Sequence, residues 1–111
     1  HNITIKSINK IKILFQNKAK KLQKLFSYEF SQNIWRILPD QDPDSQLWAI
    51  ELRSGADKKV SFAVIDLSIP AIKWQAVPEA ANWWTSLTAF SYGRVYLLNF
   101  NTGIVMLNRV L

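Results

Sequence analysis

The stretch QLWAIELRSGADKKVSFAVIDL, residues 46–67, decides the fold. In its first half Trp48, Ile50 and Leu52 alternate with Ala49, Glu51 and Arg53, the two-residue period of a half-buried strand. Ser54-Gly55-Ala56-Asp57 has the composition of a turn. In the second half Val60, Phe62 and Val64 alternate with Ser61, Ala63 and Ile65, so the whole stretch predicts a β-hairpin.

The same grammar continues in both directions. Upstream, Ile34-Trp35-Arg36-Ile37-Leu38 is a strand stopped by Pro39. Downstream, a break at Ser68-Ile69-Pro70 precedes Ile72, Trp74 and Ala76, which alternate with Lys73 and Gln75 until Pro78. Trp83 to Phe90 reads as a further strand, turned at Tyr92-Gly93 into Val95 to Phe100. Asn101-Thr102-Gly103 then turns that strand into Ile104 to Val110. Turn signals at intervals of about ten residues predict an all-β body of consecutive hairpins over residues 26–111.

The body carries an internal echo. Trp35 and Trp84 are 49 positions apart, Leu47-Trp48-Ala49-Ile50 and Val95-Tyr96-Leu97-Leu98 are 48 apart, and Asp66 and Asn108 are 42 apart. A unit of about 40–50 residues with four strands is the size of a β-propeller blade. The first unit would use strands near 34–39, 46–53, 60–67 and 71–77. The second, incomplete, would use 83–90, 94–100 and 104–110, so blade one spans about 34–77 and partial blade two about 83–111. Two blades cannot close a ring, which points to a fragment of a larger propeller or to a small curved sheet. Either leaves an open sheet edge, to be covered by the rest of a parent chain or by a protein partner.

Residues 1–25 differ from the body. They hold seven Lys and no acid, whereas residues 26–111 hold seven Lys plus Arg against eight Asp plus Glu. The formal charge of +6 therefore belongs to the N-terminal segment. Ile8, Ile11, Phe15, Leu22 and Leu25 fall at spacings that fit one face of a helix, which predicts a basic amphipathic helix or a disordered tail. As a helix it could lie on an anionic membrane or nucleic acid; otherwise it is a solvated tail or a packing helix.

Composition excludes several chemistries. Half the chain is hydrophobic and 13% is aromatic, too apolar for a disordered protein. There is no Cys and a single His, at position 1, which removes thiol nucleophiles, Ser-His-Asp triads and multi-His metal sites. No apolar run reaches the length of a membrane-spanning helix, and Lys10, Lys12 and Lys18 break up any signal-peptide core. A cytoplasmic location is the expectation.

Candidate sites are few. Asp40-Gln41-Asp42-Pro43-Asp44, with Leu47 and Glu51, matches the ligand spacing of a calcium loop, but Ser45 stands where the sharp turn needs Gly. The alternative is a solvated Asp/Pro turn. Of the five Trp, Trp35, Trp48 and Trp74 are expected in the core or between blades; one of Trp83 and Trp84 is expected to be exposed and could touch a ligand. Asp66 is expected to hold backbone amides near Ser68, and Arg36 to pair with Glu51 or Asp66. Gly55, Gly93 and Gly103 are too dispersed for a phosphate-binding loop. No catalytic, cofactor-binding or metal-binding residue set emerges.

A family resemblance adds to this reading. Val64-Ile65-Asp66-Leu67 followed by Lys73-Trp74 resembles the strand-turn-strand signature of quinoprotein-like propeller repeats, with Ile69-Pro70 in place of their Thr-Gly turn. Gly93-Arg94-Val95-Tyr96 and the run from Gly103 to Asn108 resemble the strands that follow it. The series Ile34-Trp35-Arg36-Ile37-Leu38, Val60-Ser61-Phe62, Trp83-Trp84 and Gly93 is similar to the start of an uncharacterised bacterial family of larger, propeller-like proteins. The resemblance covers about residues 26–105 and implies a fold but no activity. The function expected is a non-enzymatic binding or scaffolding domain without a cofactor. A quinoprotein-like enzyme fragment, or a binder of anionic surfaces through the N-terminal lysines, is the alternative.

Overall fold

The computed structural model describes residues 2–7, 9–16, 22–56, 58–69, 71–77, 83–99 and 103–107. Among these it contains ten β-strands in three antiparallel sheets, each a simple meander. The first sheet is formed by β1 (Asn2–Ser7), β2 (Lys10–Gln16) and β3 (Leu22–Glu29). The second holds β4 (Asn33–Pro39), β5 (Leu47–Ser54), β6 (Lys59–Asp66) and β7 (Ala71–Ala76), paired in that order. The third holds β8 (Ser86–Ser91), β9 (Arg94–Asn99) and β10 (Gly103–Leu107), with β9 central. The strands expected in the body therefore form with small shifts at their ends. Residues 108–110, Asn108 with them, and the turn residues Asp57, Pro70, Pro78, Asn101 and Thr102 lie outside the described residues.

The N-terminal segment corrects the sequence reading: where a helix or tail is expected over residues 1–25, three strands form. The helical stripe rested on spacings such as Ile11 to Phe15. Four positions are one helical turn, but they are also two full strand periods. The β-branched residues Ile3, Ile5, Ile11 and Ile13 alternate with Thr4, Lys10 and Lys12, and crowding at the branched carbon favours the extended chain. Ile3 faces Ile13 and Ile5 faces Ile11 across the β1–β2 ladder. Ile8 and Lys18 of the expected helix lie outside the described residues.

The second sheet is where the core sits. β5 and β6 are expected to be half-buried, yet their middle residues, 49–53 and 60–65, are buried on both faces. Ile50, Leu52, Ala63 and Ile65 form one cluster with Phe30 and Leu67, supported by Ile34, Ile37, Trp48 and Ile72. Ala49, Val60, Phe62 and Val64 line the opposite face and pack on Leu87, Phe90, Val95 and Leu97 of the third sheet. Central strands covered on both faces bury their polar positions too, and those positions then require partners.

Short hydrogen bonds fix the joints between sheets. At the end of the first sheet, just past β3, the Phe30 amide donates to the Asn9 carbonyl at 2.8 Å, and Asn9 Nδ2 donates to the Phe30 carbonyl at 3.0 Å. Between the second and third, the Gln41 amide donates to the Phe90 carbonyl at 3.0 Å. No helix among the described residues is long and apolar enough to cross a membrane.

Candidate functional site

The joint between the second and third sheets gathers most of the polar chemistry of the described residues. Glu51 and Arg53 are two positions apart on β5, so the strand period puts both on the face that meets the third sheet. Glu51 is fully buried and Arg53 nearly so. Arg53 Nε donates to Glu51 Oε2 at 2.7 Å. The other guanidinium nitrogens donate to the Trp83 carbonyl at 2.5 Å and the Thr85 carbonyl at 2.6 Å. Glu51 Oε1 accepts the Leu87 amide at 2.6 Å. The guanidinium carbon lies 5.1 Å from the Trp83 ring centre and 5.9 Å from that of Trp35, within cation–π range.

A second polar joint lies at the rim. Asp40 follows β4, and its Oδ1 accepts the amides of Asp42 at 3.0 Å and Tyr92 at 2.6 Å, while Oδ2 accepts that of Gly93 at 2.9 Å. Tyr92 and Gly93 form the two-residue turn of the β8–β9 hairpin, with φ of 50° and 77°. Positive φ at both positions matches the right-handed twist of a hairpin, but it is uncommon for a Tyr. The Asp40 carboxylate ties that turn to the end of β4. Burial pushes the Asp40 carboxyl up, but the amides of Asp42, Gly93 and Tyr92 and the Ser45 hydroxyl together hold it below the ordinary range.

The residues of the calcium-like spacing have other partners in the structure. Besides the Asp40 bonds, Asp42 Oδ1 accepts the Asp44 amide at 3.0 Å, and Glu51, the twelfth position, is held by Arg53 and Leu87 inside the sheet joint. Among the described residues no group of three His, Cys, Asp or Glu could hold a metal ion. The loop is an Asp-rich turn in which the Asp40 and Asp42 carboxylates hold backbone amides.

The other expectations divide. Asp66 accepts the Ser68 amide at 2.9 Å and the Ser68 hydroxyl at 2.5 Å, as a turn residue should. Arg36 stands opposite Glu51 in the β4–β5 ladder but is exposed, and Glu51 takes Arg53 as its partner. Trp48 and Trp74 are partly buried against the two core clusters. Trp35 departs from expectation at 68% exposure. The cause is a register irregularity between Ile34 and Arg36, which leaves Trp35 as the extra residue and defeats strict alternation. Of the adjacent pair, Trp84 is 68% exposed while Trp83 is half-buried beside Arg53. The Glu51–Arg53 pair escaped the sequence reading; opposite charges at i and i+2 between apolar neighbours were its only signal.

Fold and joints together define an all-β domain of packed antiparallel meanders. The chain belongs to the family described as Domain of unknown function (DUF4905), which matches residues 41–105, more than half its length. The match begins just after Asp40 and takes in β5 to β10, including Glu51, Arg53 and the Tyr92-Gly93 turn. No curated protein and no solved structure matches the chain.

Proposed function

We propose that the chain is a non-enzymatic binding or scaffolding domain, built from meanders of the propeller type, whose third sheet docks a further β-sheet of a protein partner or parent chain. The observation that carries this is the outer face of the third sheet. Along β9 exposure alternates: Val95, Leu97 and Asn99 are buried, whereas Arg94 and Leu98 are exposed. Leu98 faces Ile104 of β10 across the ladder, and the two are 42% and 67% exposed. The opposite face, with Leu87, Phe90, Val95 and Leu97, is buried against β5 and β6, and an exposed apolar pair on the outer face offers a second sheet a similar contact.

Meanders in consecutive order, stacked face to face, support the propeller-type reading. The non-enzymatic reading is supported by the candidate acids, since Asp40, Glu51 and Asp66 all spend their carboxylates on backbone amides.

The test compares the chain with the double variant Leu98→Ser/Ile104→Ser. The unmodified chain should bind a hydrophobic dye and self-associate as concentration rises, and the variant should do both less. A monomeric chain that leaves the dye dark would contradict the docking face.

A further inference from the structure

Each of the three sheets has two outer strands, and five of these six are irregular in the same way. One extra residue interrupts the ladder, always on the outer strand: Lys6 on β1, Leu25 on β3, Trp35 on β4, Lys73 on β7 and Thr88 on β8. Each such bulge leaves a residue unpaired and bends the strand, which spoils the edge for any incoming strand.

β10 is the exception. It pairs with β9 through five consecutive positions, from Gly103 opposite Asn99 to Leu107 opposite Val95, without a break. Its segment GIVML also lacks charge and Pro, two other devices that blunt an edge. In the second sheet only the β5–β6 ladder is as regular, and it joins two inner strands. The two meanders therefore correspond: bulged β4, regular β5–β6 and bulged β7 in one, bulged β8 and regular β9–β10 in the other. β10 stands in the place of β6. Among the described residues no strand takes the place of β7 beside it.

We infer that β10 pairs antiparallel with the β10 of a second copy of the chain, joining two third sheets into one sheet of six strands. The occupant follows from charge. A strand set against its own copy about a two-fold axis brings each of its charges near the same charge of the copy, which destabilises the pair. Of the ten strands only β8 and β10 carry no charged residue, and β8 is bulged. β10 alone is regular, uncharged and at an edge. The contact uses backbone groups at that edge, so it is separate from the outer face of Leu98 and Ile104 and leaves that face open.

The experiment is sedimentation equilibrium of the whole chain from about 1 µM to about 1 mM, combined with dye binding. Leu98→Ser/Ile104→Ser makes the outer face polar but puts no charge on β10, and should still form a dimer. Leu98→Ser/Ile104→Lys adds the charge and should dimerise at least about 10-fold more weakly. Leu98→Ser/Ile104→Ser/Thr88→Lys, with the charge on the bulged edge instead, should keep the dimer. A failure of the outer face alone would show in the dye and not in the dimer. Hydrogen exchange of the unmodified chain reads the edge without any variant: amides of residues 103–107 should slow as concentration rises, and those of β8 should not. A monomeric Leu98→Ser/Ile104→Ser variant, equal weakening by Lys at 88 and at 104, or exchange at β10 that ignores concentration would overturn the inference. So would β10 amides that slow only when a foreign extended peptide is added, because the edge would then serve a partner's strand.

Discussion

β5 and β9 are each an inner strand of successive meanders, yet their surroundings differ. Along β5 both faces are buried, so Ala49, Glu51 and Arg53 are as enclosed as Ile50 and Leu52. Along β9 only one face is covered, and Arg94 and Leu98 remain in solvent. Similar alternating sequences thus meet one neighbouring sheet or two. A strand enclosed on both sides must satisfy its charges internally, and β5 does so with the Glu51–Arg53 pair. A strand enclosed on one side can leave its charge in water, as β9 does with Arg94, and it keeps an apolar surface in reserve.

Breaking the charge pair of β5 should have the largest effect. Glu51→Ala leaves the Arg53 guanidinium buried without its counter-charge and strands the Leu87 amide, and should cost about 3–5 kcal/mol in urea unfolding. The apolar positions sharpen the contrast. Leu52→Ala on the enclosed strand should cost about 2–5 kcal/mol, whereas Leu98→Ala on the open face should stay within about 0.5 kcal/mol. Equal costs at the two leucines would show that β9 is as enclosed as β5.

The rim joint predicts a pH dependence. The folded Asp40 carboxyl titrates below its unfolded value, so its stabilisation is complete above the unfolded value, about 3.9 for Asp, and is lost as pH falls through the folded one. Asp40→Asn should cost about 1 kcal/mol at neutral pH, a figure kept low because the site is partly open to solvent. The variant should also flatten the acid limb of stability measured by urea midpoints. The smallest effect belongs to Tyr92, whose φ of 50° strains a ring-bearing residue that is mostly exposed. Tyr92→Asn, which tolerates that conformation better, should raise the unfolding midpoint by the equivalent of about 0.5 kcal/mol.

Much of the second and third sheets could be read directly from residues 34–107, because alternation, Gly and Pro punctuate each strand. The hairpin turn at Tyr92-Gly93 and the Asp66–Ser68 turn are local, and local chemistry survives in sequence. What escaped was non-local. Residues 2–16 alternate as clearly as the body does, but Lys at the polar positions and four-residue spacings between apolar ones imitate a helix face. Exposure of Trp35 depends on a single extra residue opposite Leu52 and Glu51, which pattern alone does not reveal. The partner of Glu51 depended on which sheet covers β5, a fact fixed by Leu87 and Thr85 more than 30 positions away. The Asp40 loop showed the converse: a residue read by its local spacing has its carboxylate on the amides of Tyr92 and Gly93, some fifty positions away.

The third sheet holds an uncovered apolar face, whereas the inner strands β5 and β6 of the second are buried on both sides. Hydroxyl-radical footprinting of the isolated chain addresses it most directly, by comparing Leu98 and Ile104 with Ile50, Leu52 and Leu97. The first two should label rapidly and the other three should be protected, with Leu98 and Ile104 becoming protected when a docking partner is added. Protection of Leu98 and Ile104 in the isolated monomer, or labelling of Ile50 and Leu52 at the same rate, would contradict it.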